Sequence, residues 1–342
     1  MALVFLDLTA QLIRTRPTHI LVQNPPSFPT LASAWLAARL QGSRLIVDWH
    51  NYGYSMLALR LGHSHPFVRL AAVFEGWMAR RADRHLCVSR AMASDLHTRF
   101  GISAEVLYDA PFRMENANPN QDGCVVVVSP CGWTTDERVD CFLDALDLLR
   151  SDPLRHRLRI HLTGDGPLRA GLEPRIAMLR HAGFAIHTGF LSEADYRALL
   201  RGASVGVSLH ESSSALDLAM KNVDLLAASV PVCALDYGGS LSEQIRQGEN
   251  GYLFRTADDL ARLLRSFLAA PAQLHTMRET MRKQPATTWG REWNRVALPL
   301  LVEGWSGKRY GRRPHASKPT PPPISRNVAG SGTSCELEVT ST

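Results

Sequence analysis

The sequence predicts an α/β protein built from two doubly wound domains, and two observations support this fold class. Short continuous apolar runs, typical of strands buried on both faces of a parallel sheet, alternate with segments of helical period. This alternation occurs twice, on either side of a segment at residues 116–123 that is rich in Asn, Pro, Gln, Asp and Gly. Since 342 residues suffice for two ordinary domains, we predict a first domain over residues 1–115, a linker over 116–123 and a second domain over 124–285.

Composition excludes several classes of protein. The net charge of +6 is modest and concentrates in residues 306–342, whose Gly, Ser, Pro, Thr and basic residues predict disorder. The sequence shows no basic surface interleaved with aromatic residues, so it does not indicate a nucleic-acid partner. Six scattered cysteines, without CxxC pairs, are typical of reduced thiols. The apolar N-terminus is interrupted at Asp7 and ends at Arg14, short of the roughly 20 residues of a membrane span, and predicts an amphipathic helix.

The first domain carries candidate catalytic residues at the end of a predicted strand. The apolar run at residues 44–48 ends in Asp48 and is followed at once by Trp49, His50 and Asn51. Ligands bind beyond the carboxyl ends of strands in doubly wound sheets, so Asp48 and His50 are candidates for acid–base chemistry or sugar contact. A satisfied loop histidine is the alternative. The other predicted elements of this domain are a strand at 18–23, a helix at 31–41, a helix at 67–81, a strand at 83–89 and a helix at 90–100.

The second domain repeats the alternation of strand and helix. Its first loop contains Asp136 and Glu137 and leads into a helix N-terminus, which offers a contact for phosphate. The alternative is that each carboxylate is an ordinary residue at the start of a helix, placed against the helix dipole. A short turn at Gly164 and Gly166 follows the next strand and is weak evidence for a ligand site. The predicted strands are 124–129, 159–163, 184–188, 203–209 and 231–235, and the predicted helices are 139–149, 193–201, 257–269 and 287–301.

The most informative stretch is residues 208–236, which reads as strand, polar turn, helix and strand. Residues 211–214 supply hydroxyls and backbone N–H groups where a helix is expected to begin, and such an end favours an anion. Lys221 adds a positive charge, and Asp224 lies three residues later on the same helix face. A cation for phosphate and a carboxylate for ribose suit a nucleotide-sugar. The alternative is that the serines are ordinary caps and that Lys221 and Asp224 form a solvated ion pair.

Several blocks, in the same order, resemble the dolichol-pathway β-1,4-mannosyltransferases that act on chitobiosyl-diphosphodolichol. The resemblance covers about residues 18–305 and implies a GT-B fold, in which two Rossmann-like domains face a cleft and a terminal helix, here 286–305, crosses back to the first domain. The blocks are residues 22–26 (Val-Gln-Asn-Pro-Pro), 47–55 (Val-Asp-Trp-His-Asn-Tyr-Gly-Tyr-Ser), 133–137 (Trp-Thr-Thr-Asp-Glu), 163–169 (Thr-Gly-Asp-Gly-Pro-Leu-Arg), 208–236, and Glu243 with 248–254.

The resemblance implies transfer of mannose from GDP-mannose to chitobiosyl-diphosphodolichol, with inversion and in a β-1,4 linkage, during lipid-linked oligosaccharide assembly for protein N-glycosylation. The resemblance also implies a location at the cytosolic face of the endoplasmic reticulum membrane, with other dolichol-pathway mannosyltransferases as possible partners. It implies neither a metal nor another cofactor. The base for the acceptor hydroxyl is expected to be His50 or Asp48. The expected donor-binding residues are Gly164, Gly166, His210, Ser212, Ser213, Ser214, Asp217, Lys221 and Asp224.

The chain departs from the family in ways that keep a competing interpretation open. The family usually begins with a membrane-anchoring helix, a strand and a glycine-rich loop that precede the matching region, so the first domain is expected to be incomplete, with an exposed sheet edge. Ala215 and Ala219 stand where the family has Gly and Pro, and Asn222, at a usually apolar position, is expected to face water. The competing interpretation is a catalytically silent paralogue that binds nucleotide-sugar or partner subunits. A third interpretation is a GT-B hexosyltransferase that uses another nucleotide-sugar. The block at 47–55 argues against it.

Overall fold

The computed structural model describes residues 2–110, 123–284 and 287–302. The predicted linker before Gly123 and the predicted disordered tail lie outside the described residues, as do residues 286 and 303–305 of the predicted terminal helix. The described residues form two parallel sheets, each with helices packed against it. This arrangement confirms the predicted α/β class.

Among the described residues, the first sheet contains four parallel strands in chain order, β1-β2-β3-β4, and β1 forms one of its edges. Val22 pairs with Val47 and Asn24 with Trp49, which aligns the ends of β1 and β2. The elements are α1 (Ala2–Thr15), β1 (His19–Asn24), α2 (Thr30–Gln41), β2 (Arg44–Trp49), α3 (Gly53–Leu61), α4 (Pro66–Ala79), β3 (Arg84–Cys87), α5 (Arg90–Phe100) and β4 (Glu105–Val106).

Different parts of the chain cover the two faces of this sheet. Helices α2, α4 and α5 contribute to a core that includes Trp49, Met78 and Leu96. On the other face, Val296 and Ala297 from the end of the described chain pack against Ile46 and Leu86. The terminal segment therefore contributes to the core of the first domain.

The second sheet contains six parallel strands in the order β10-β9-β8-β5-β6-β7. The direction of winding reverses between the adjacent strands β5 and β8, and a crevice at such a switch point is the usual ligand site of doubly wound sheets. The elements are β5 (Val125–Pro130), α6 (Val139–Asp147), β6 (Leu158–Thr163), α7 (Arg169–His181), β7 (Ala185–Gly189), α8 (Glu193–Gly202), β8 (Val205–Ser208), α9 (Met220–Ala227), β9 (Val232–Leu235), α10 (Leu241–Gln244), β10 (Gly251–Phe254), α11 (Ala257–Ala269), α12 (Ala272–Lys283), α13 (Trp289–Glu292), a π-helical turn (Trp293–Ala297) and α14 (Leu298–Val302).

Two expectations for this domain are wrong. The helix expected to begin at residues 211–214 begins at Met220, after an irregular loop. Asn222 does not face water: it is fully buried, and its Nδ2 donates a hydrogen bond to Oε1 of Gln244 at 2.9 Å. The partner lies on α10, so local sequence alone did not reveal the burial.

The N-terminal segment forms the expected helix α1, which packs on α2 and keeps Leu3 and Leu6 exposed. Across the described ranges, no helix combines the length and apolar character needed to cross a bilayer.

Candidate active site

The loops that follow β5 and β8 are joined to each other beside the switch point. The Arg138 N–H donates to the carbonyl oxygen of Leu209 at 2.9 Å, and the Glu211 N–H donates to that of Asp136 at 2.7 Å. Glu137 and His210 form the intervening antiparallel bridge. These bonds fix the side chains of both loops in one polar cluster at the carboxyl ends of the strands.

His210 lies between two carboxylates in this cluster. Its Nε2 is 3.0 Å from Oδ2 of Asp217, and its Nδ1 is 3.6 Å from Oδ2 of Asp136. Burial lowers the pKa of His210, but the hydrogen bonds and charges of Asp136 and Asp217 outweigh burial and raise the pKa to about 9. The close contact with His210 also lowers the pKa of Asp136 well below its ordinary range. At neutral pH the crevice therefore contains an imidazolium ion held by two carboxylates.

The serine loop, residues 211–219, is held by its own side chains. Ser212 Oγ donates to Asp217 and accepts from the N–H groups of Ser214 and Ala215 at 3.3 and 2.8 Å. Ser214 Oγ accepts from the N–H of Leu216 at 3.2 Å. Serine hydroxyls that bond nearby backbone compete with helix formation, which explains why the helix begins later. Two of the N–H groups that were expected to be available to an anion, those of Glu211 and Ser214, are thus already paired.

Lys221 and Asp224 have separate partners, so the ion pair considered for them is absent. Lys221 is paired with Glu137, which is nearly buried and also accepts hydrogen bonds from the N–H groups of Gly132 and Trp133 at 2.6 and 3.0 Å. Asp224 accepts a long hydrogen bond, 3.4 Å, from the hydroxyl of Tyr196, and burial raises the pKa of Asp224.

The expectation that Asp136 and Glu137 are ordinary helix-start residues is also wrong. Helix α6 begins at Val139, while the two carboxylates turn toward His210 and Lys221. Their role is visible only when the loop after β5 meets the loop after β8.

Gly164 and Gly166 allow the loop after β6 to approach the loop after β5. Gly164 has a φ of +100°, and a Cβ there would overlap the carbonyl oxygen of Cys131. A Cβ at Gly166 would overlap the carbonyl oxygen of Gly132. Both glycines are therefore required by close packing beside the crevice, and a direct donor contact remains a prediction for them.

His50 and Asp48 form a hydrogen-bonded pair at the end of β2. His50 Nε2 is 3.0 Å from Oδ2 of Asp48, and both side chains remain partly accessible. Burial lowers the pKa of His50, but the hydrogen bond and charge of Asp48, together with the charge of Asp109, raise it above 6.5 overall. Burial in turn raises the pKa of Asp109. Sequence reasoning missed Asp109, because it follows the two-residue strand β4, which is too short to recognise by pattern.

The loop after β2 and the first turn of α3 contact the serine loop directly. Asn51 Nδ2 lies 3.3 Å from Oγ of Ser213, and Ser55 Oγ lies 2.9 Å from the same atom. Ser89 Oγ donates to the carbonyl oxygen of Leu216 at 2.6 Å. The predicted donor residue Ser213 thus joins the two domains beside the His50–Asp48 pair.

Glu243 makes a second contact between the domains. Its carboxylate accepts hydrogen bonds from the N–H groups of Arg90 and Ala91 at 2.8 and 2.9 Å and from the hydroxyl of Tyr108 at 2.6 Å. Glu243 was noticed in the sequence only as part of a family block, and nothing local indicated that its partners lie in the first domain.

This combination defines the class of protein. Two parallel-sheet α/β domains meet through loops at the carboxyl ends of their strands, as in glycosyltransferases of the GT-B class. The family model "Glycosyl transferase 4-like domain" matches residues 2–108, and "Glycosyl transferases group 1" matches residues 123–270. The chain belongs to the chitobiosyldiphosphodolichol beta-mannosyltransferase family.

Individual relatives support this assignment. The Arthroderma benhamiae chitobiosyldiphosphodolichol beta-mannosyltransferase is 38% identical, over 84% of this chain and 72% of the relative. The Homo sapiens enzyme of the same name is 32% identical, over 83% and 73% respectively. The crystal structure of Anabaena Alr3699/HepE in complex with UDP superposes with a TM-score of 0.67 at 17% identity, covering 86% of this chain and 82% of that one, and supports the fold.

Proposed function

We propose that this chain transfers mannose from GDP-mannose to the distal N-acetylglucosamine of chitobiosyl-diphosphodolichol, with inversion and in a β-1,4 linkage. Membership of the mannosyltransferase family supports the reaction. The observation that carries the proposal is the contact of Asn51 and Ser55 with Ser213, because it sets the His50–Asp48 pair beside the donor-domain crevice.

The reaction forms a bond between the acceptor hydroxyl oxygen and C1 of mannose and breaks the bond from C1 to the GDP oxygen. Inversion requires attack from the face opposite the departing diphosphate, so the base must lie on the acceptor side. We assign His50 as this base. Its Nε2 is bonded to Asp48, so Nδ1 takes the proton, and the carboxylate stabilises the imidazolium that forms.

The leaving GDP requires stabilisation of its negative charge. Both cations of the crevice, His210 and Lys221, are balanced by carboxylates in this structure. We assign Lys221 to the diphosphate, which it would reach by exchanging Glu137 for a phosphate oxygen beside the N-terminus of α9. Asp224, on the same helix, is assigned to the ribose hydroxyls. The serine loop with His210 and Asp217 would border the mannose.

The acceptor defines the rest of the proposal. A dolichol-linked substrate stays in its membrane, so we place the protein at the cytosolic face of the endoplasmic reticulum membrane, where other dolichol-pathway mannosyltransferases are candidate partners.

The test is incubation of this chain with labelled GDP-mannose and a chitobiosyl-diphospho-lipid. We expect a trisaccharide-lipid whose label is released by β-mannosidase and resists α-mannosidase. UDP-glucose in place of GDP-mannose should give no product. A measurable GDP affinity without any transfer would favour the silent paralogue, whereas transfer from UDP-glucose would assign the chain to another hexosyltransferase.

A further inference from the structure

Helices α3 and α4 of the first domain pack together and present an apolar surface that no other described part of the chain covers, which we call the α3–α4 stripe. Its six residues are between 42% and 70% exposed. In α4 the spacing of three to four residues puts the members on one helix face, and the two members in α3 are likewise three residues apart. The stripe consists of Met56, Leu59, Phe67, Leu70, Val73 and Trp77.

Between residues 51 and 82, the segment that carries the stripe, the exposed charges have a single sign. From residue 51 to residue 82 the chain contains four arginines, Arg60, Arg69, Arg80 and Arg81, all of them exposed. The sole acidic residue of that segment, Glu75, is fully buried and accepts hydrogen bonds from the N–H groups of Gly53 and Tyr54. No carboxylate between residues 51 and 82 therefore reaches the surface that carries the stripe.

Aromatic and basic side chains also meet at one end of the stripe. The Arg81 guanidinium lies 3.4 Å from the centre of the Trp77 ring, which is packed edge-on against Trp35. An exposed tryptophan beside arginines is suited to the boundary between lipid headgroups and acyl chains, where the ring meets apolar chains and the cation meets phosphate.

We infer that the α3–α4 stripe docks on an anionic lipid bilayer, with its apolar side chains among the acyl chains and its arginines at the phosphates. An exposed apolar patch with a basic rim fits such a surface better than it fits a soluble partner of mixed charge. The inference deepens the proposed function and rests on it for its purpose: α3 begins three residues after His50, so docking would bring the acceptor side of the cleft to the membrane that contains a lipid-linked substrate.

Flotation of the full chain with vesicles tests the inference without donor or acceptor. Vesicles of phosphatidylcholine with phosphatidylserine should bind the protein, and salt should weaken the binding. The double variant Phe67→Gln/Leu70→Gln should lower the partition coefficient about tenfold or more, since it removes buried apolar area. The matched control Leu148→Gln/Phe190→Gln changes the same residue types on the second domain, where both are also exposed, and should leave binding unchanged.

Two further variants separate the contributions. Arg60→Gln/Arg69→Gln should weaken binding to the anionic vesicles and have little effect with phosphatidylcholine alone. Leu3→Gln/Leu6→Gln alters another exposed apolar surface of the first domain, on α1. Thermal melting of each variant checks that it is folded.

Several outcomes would overturn the inference: no vesicle binding by the wild type, equal binding by Phe67→Gln/Leu70→Gln, or loss confined to the α1 variant. A wild-type dimer that the stripe variant dissociates in sedimentation would assign the stripe to a second copy of the chain instead. Transfer of mannose to a water-soluble chitobiosyl-diphosphate with a short alkyl chain separates the two proposals. Normal transfer without vesicle binding would contradict only the inference that the stripe docks on a bilayer. Vesicle binding without transfer would contradict only the proposed function.

Discussion

At the scale of single residues, the crevice is built on buried charges whose partners come from different loops. His210 has a carboxylate on each side, and each carboxylate enters from a separate turn of the chain. This arrangement makes the stability of the fold depend on pH. It also constrains the serine loop, in which Ala215 has a left-handed backbone.

The first prediction concerns His210. Because its pKa rises from 6.5 to about 9 on folding, its imidazolium stabilises the folded state fully below pH 6.5, and this contribution is lost as the pH rises through 9. The free energy of unfolding should therefore fall between these pH values by up to about 3 kcal/mol. Urea denaturation at both pH values measures the fall, which His210→Gln should abolish. The exposed His156→Gln should retain it; an unchanged pH dependence in His210→Gln would contradict the assignment.

The second prediction concerns Ala215, whose φ is +61°. Left-handed backbone strains an L-residue by about 1–2 kcal/mol, while glycine costs roughly 0.5–1 kcal/mol in chain entropy, so Ala215→Gly should stabilise the protein by about 0.5–1 kcal/mol. Ala198→Gly, on an exposed helical position of α8, provides the control and should destabilise by about 1 kcal/mol. If urea denaturation shows that both substitutions destabilise the protein, the left-handed backbone at Ala215 does not explain why the family has glycine at this position.

At the scale of elements, Glu243 on α10 caps the N-terminus of α5, although the two helices belong to different domains. The first N–H groups of a helix lack intrahelical partners, and a carboxylate there satisfies them and matches the helix dipole. This contact links the serine-loop domain to the domain of His50 through hydrogen bonds to a charged group.

The third prediction follows from that cap. Glu243→Ala removes three hydrogen bonds to a carboxylate and should lower the free energy of unfolding by about 1–3 kcal/mol. Glu249→Ala removes an exposed carboxylate of the following turn, which pairs with the exposed Arg246, and should cost about 0.5 kcal/mol or less. Equal losses in the two variants would show that the contact between the domains contributes no more stability than an exposed ion pair.

The elements also show what sequence reasoning could reach. Strands such as β2 and β5 were predicted because both are continuous apolar runs, and a strand buried on two faces needs no information from elsewhere in the chain. The start of α9 was mispredicted because serines that cap helices also stabilise irregular turns. Asn222 and Asp109 were missed for a different reason: their environments are created by residues distant in sequence, which periodicity cannot reveal.

At the scale of the whole molecule, two loop systems meet at the carboxyl ends of two sheets. The residues of each system were named from the sequence, since each follows a recognisable strand. The contact between the two loop systems was not predicted, because Asn51 and Ser213 are separated by 162 positions. The fold therefore shows where the candidate base lies relative to the candidate donor loop. The sequence blocks alone do not give this relative position.

The proposed base of the mannosyl transfer is His50, supported by Asp48. A base whose pKa exceeds 6.5 is inactivated by protonation at low pH, so the rate should fall on the acid side, and Asp48→Asn should move that fall to lower pH.

The most direct measurement is the single-turnover rate of mannose transfer from GDP-mannose to chitobiosyl-diphospho-lipid, compared between wild type, His50→Gln and His97→Gln. His97 is an exposed histidine on α5 and serves as the control. We expect His50→Gln to lose about 10²–10⁴-fold in rate with GDP-mannose affinity preserved, and His97→Gln to match the wild type. A His50→Gln protein that transfers mannose at the wild-type rate would contradict the assignment of His50 and place the base elsewhere in the cleft.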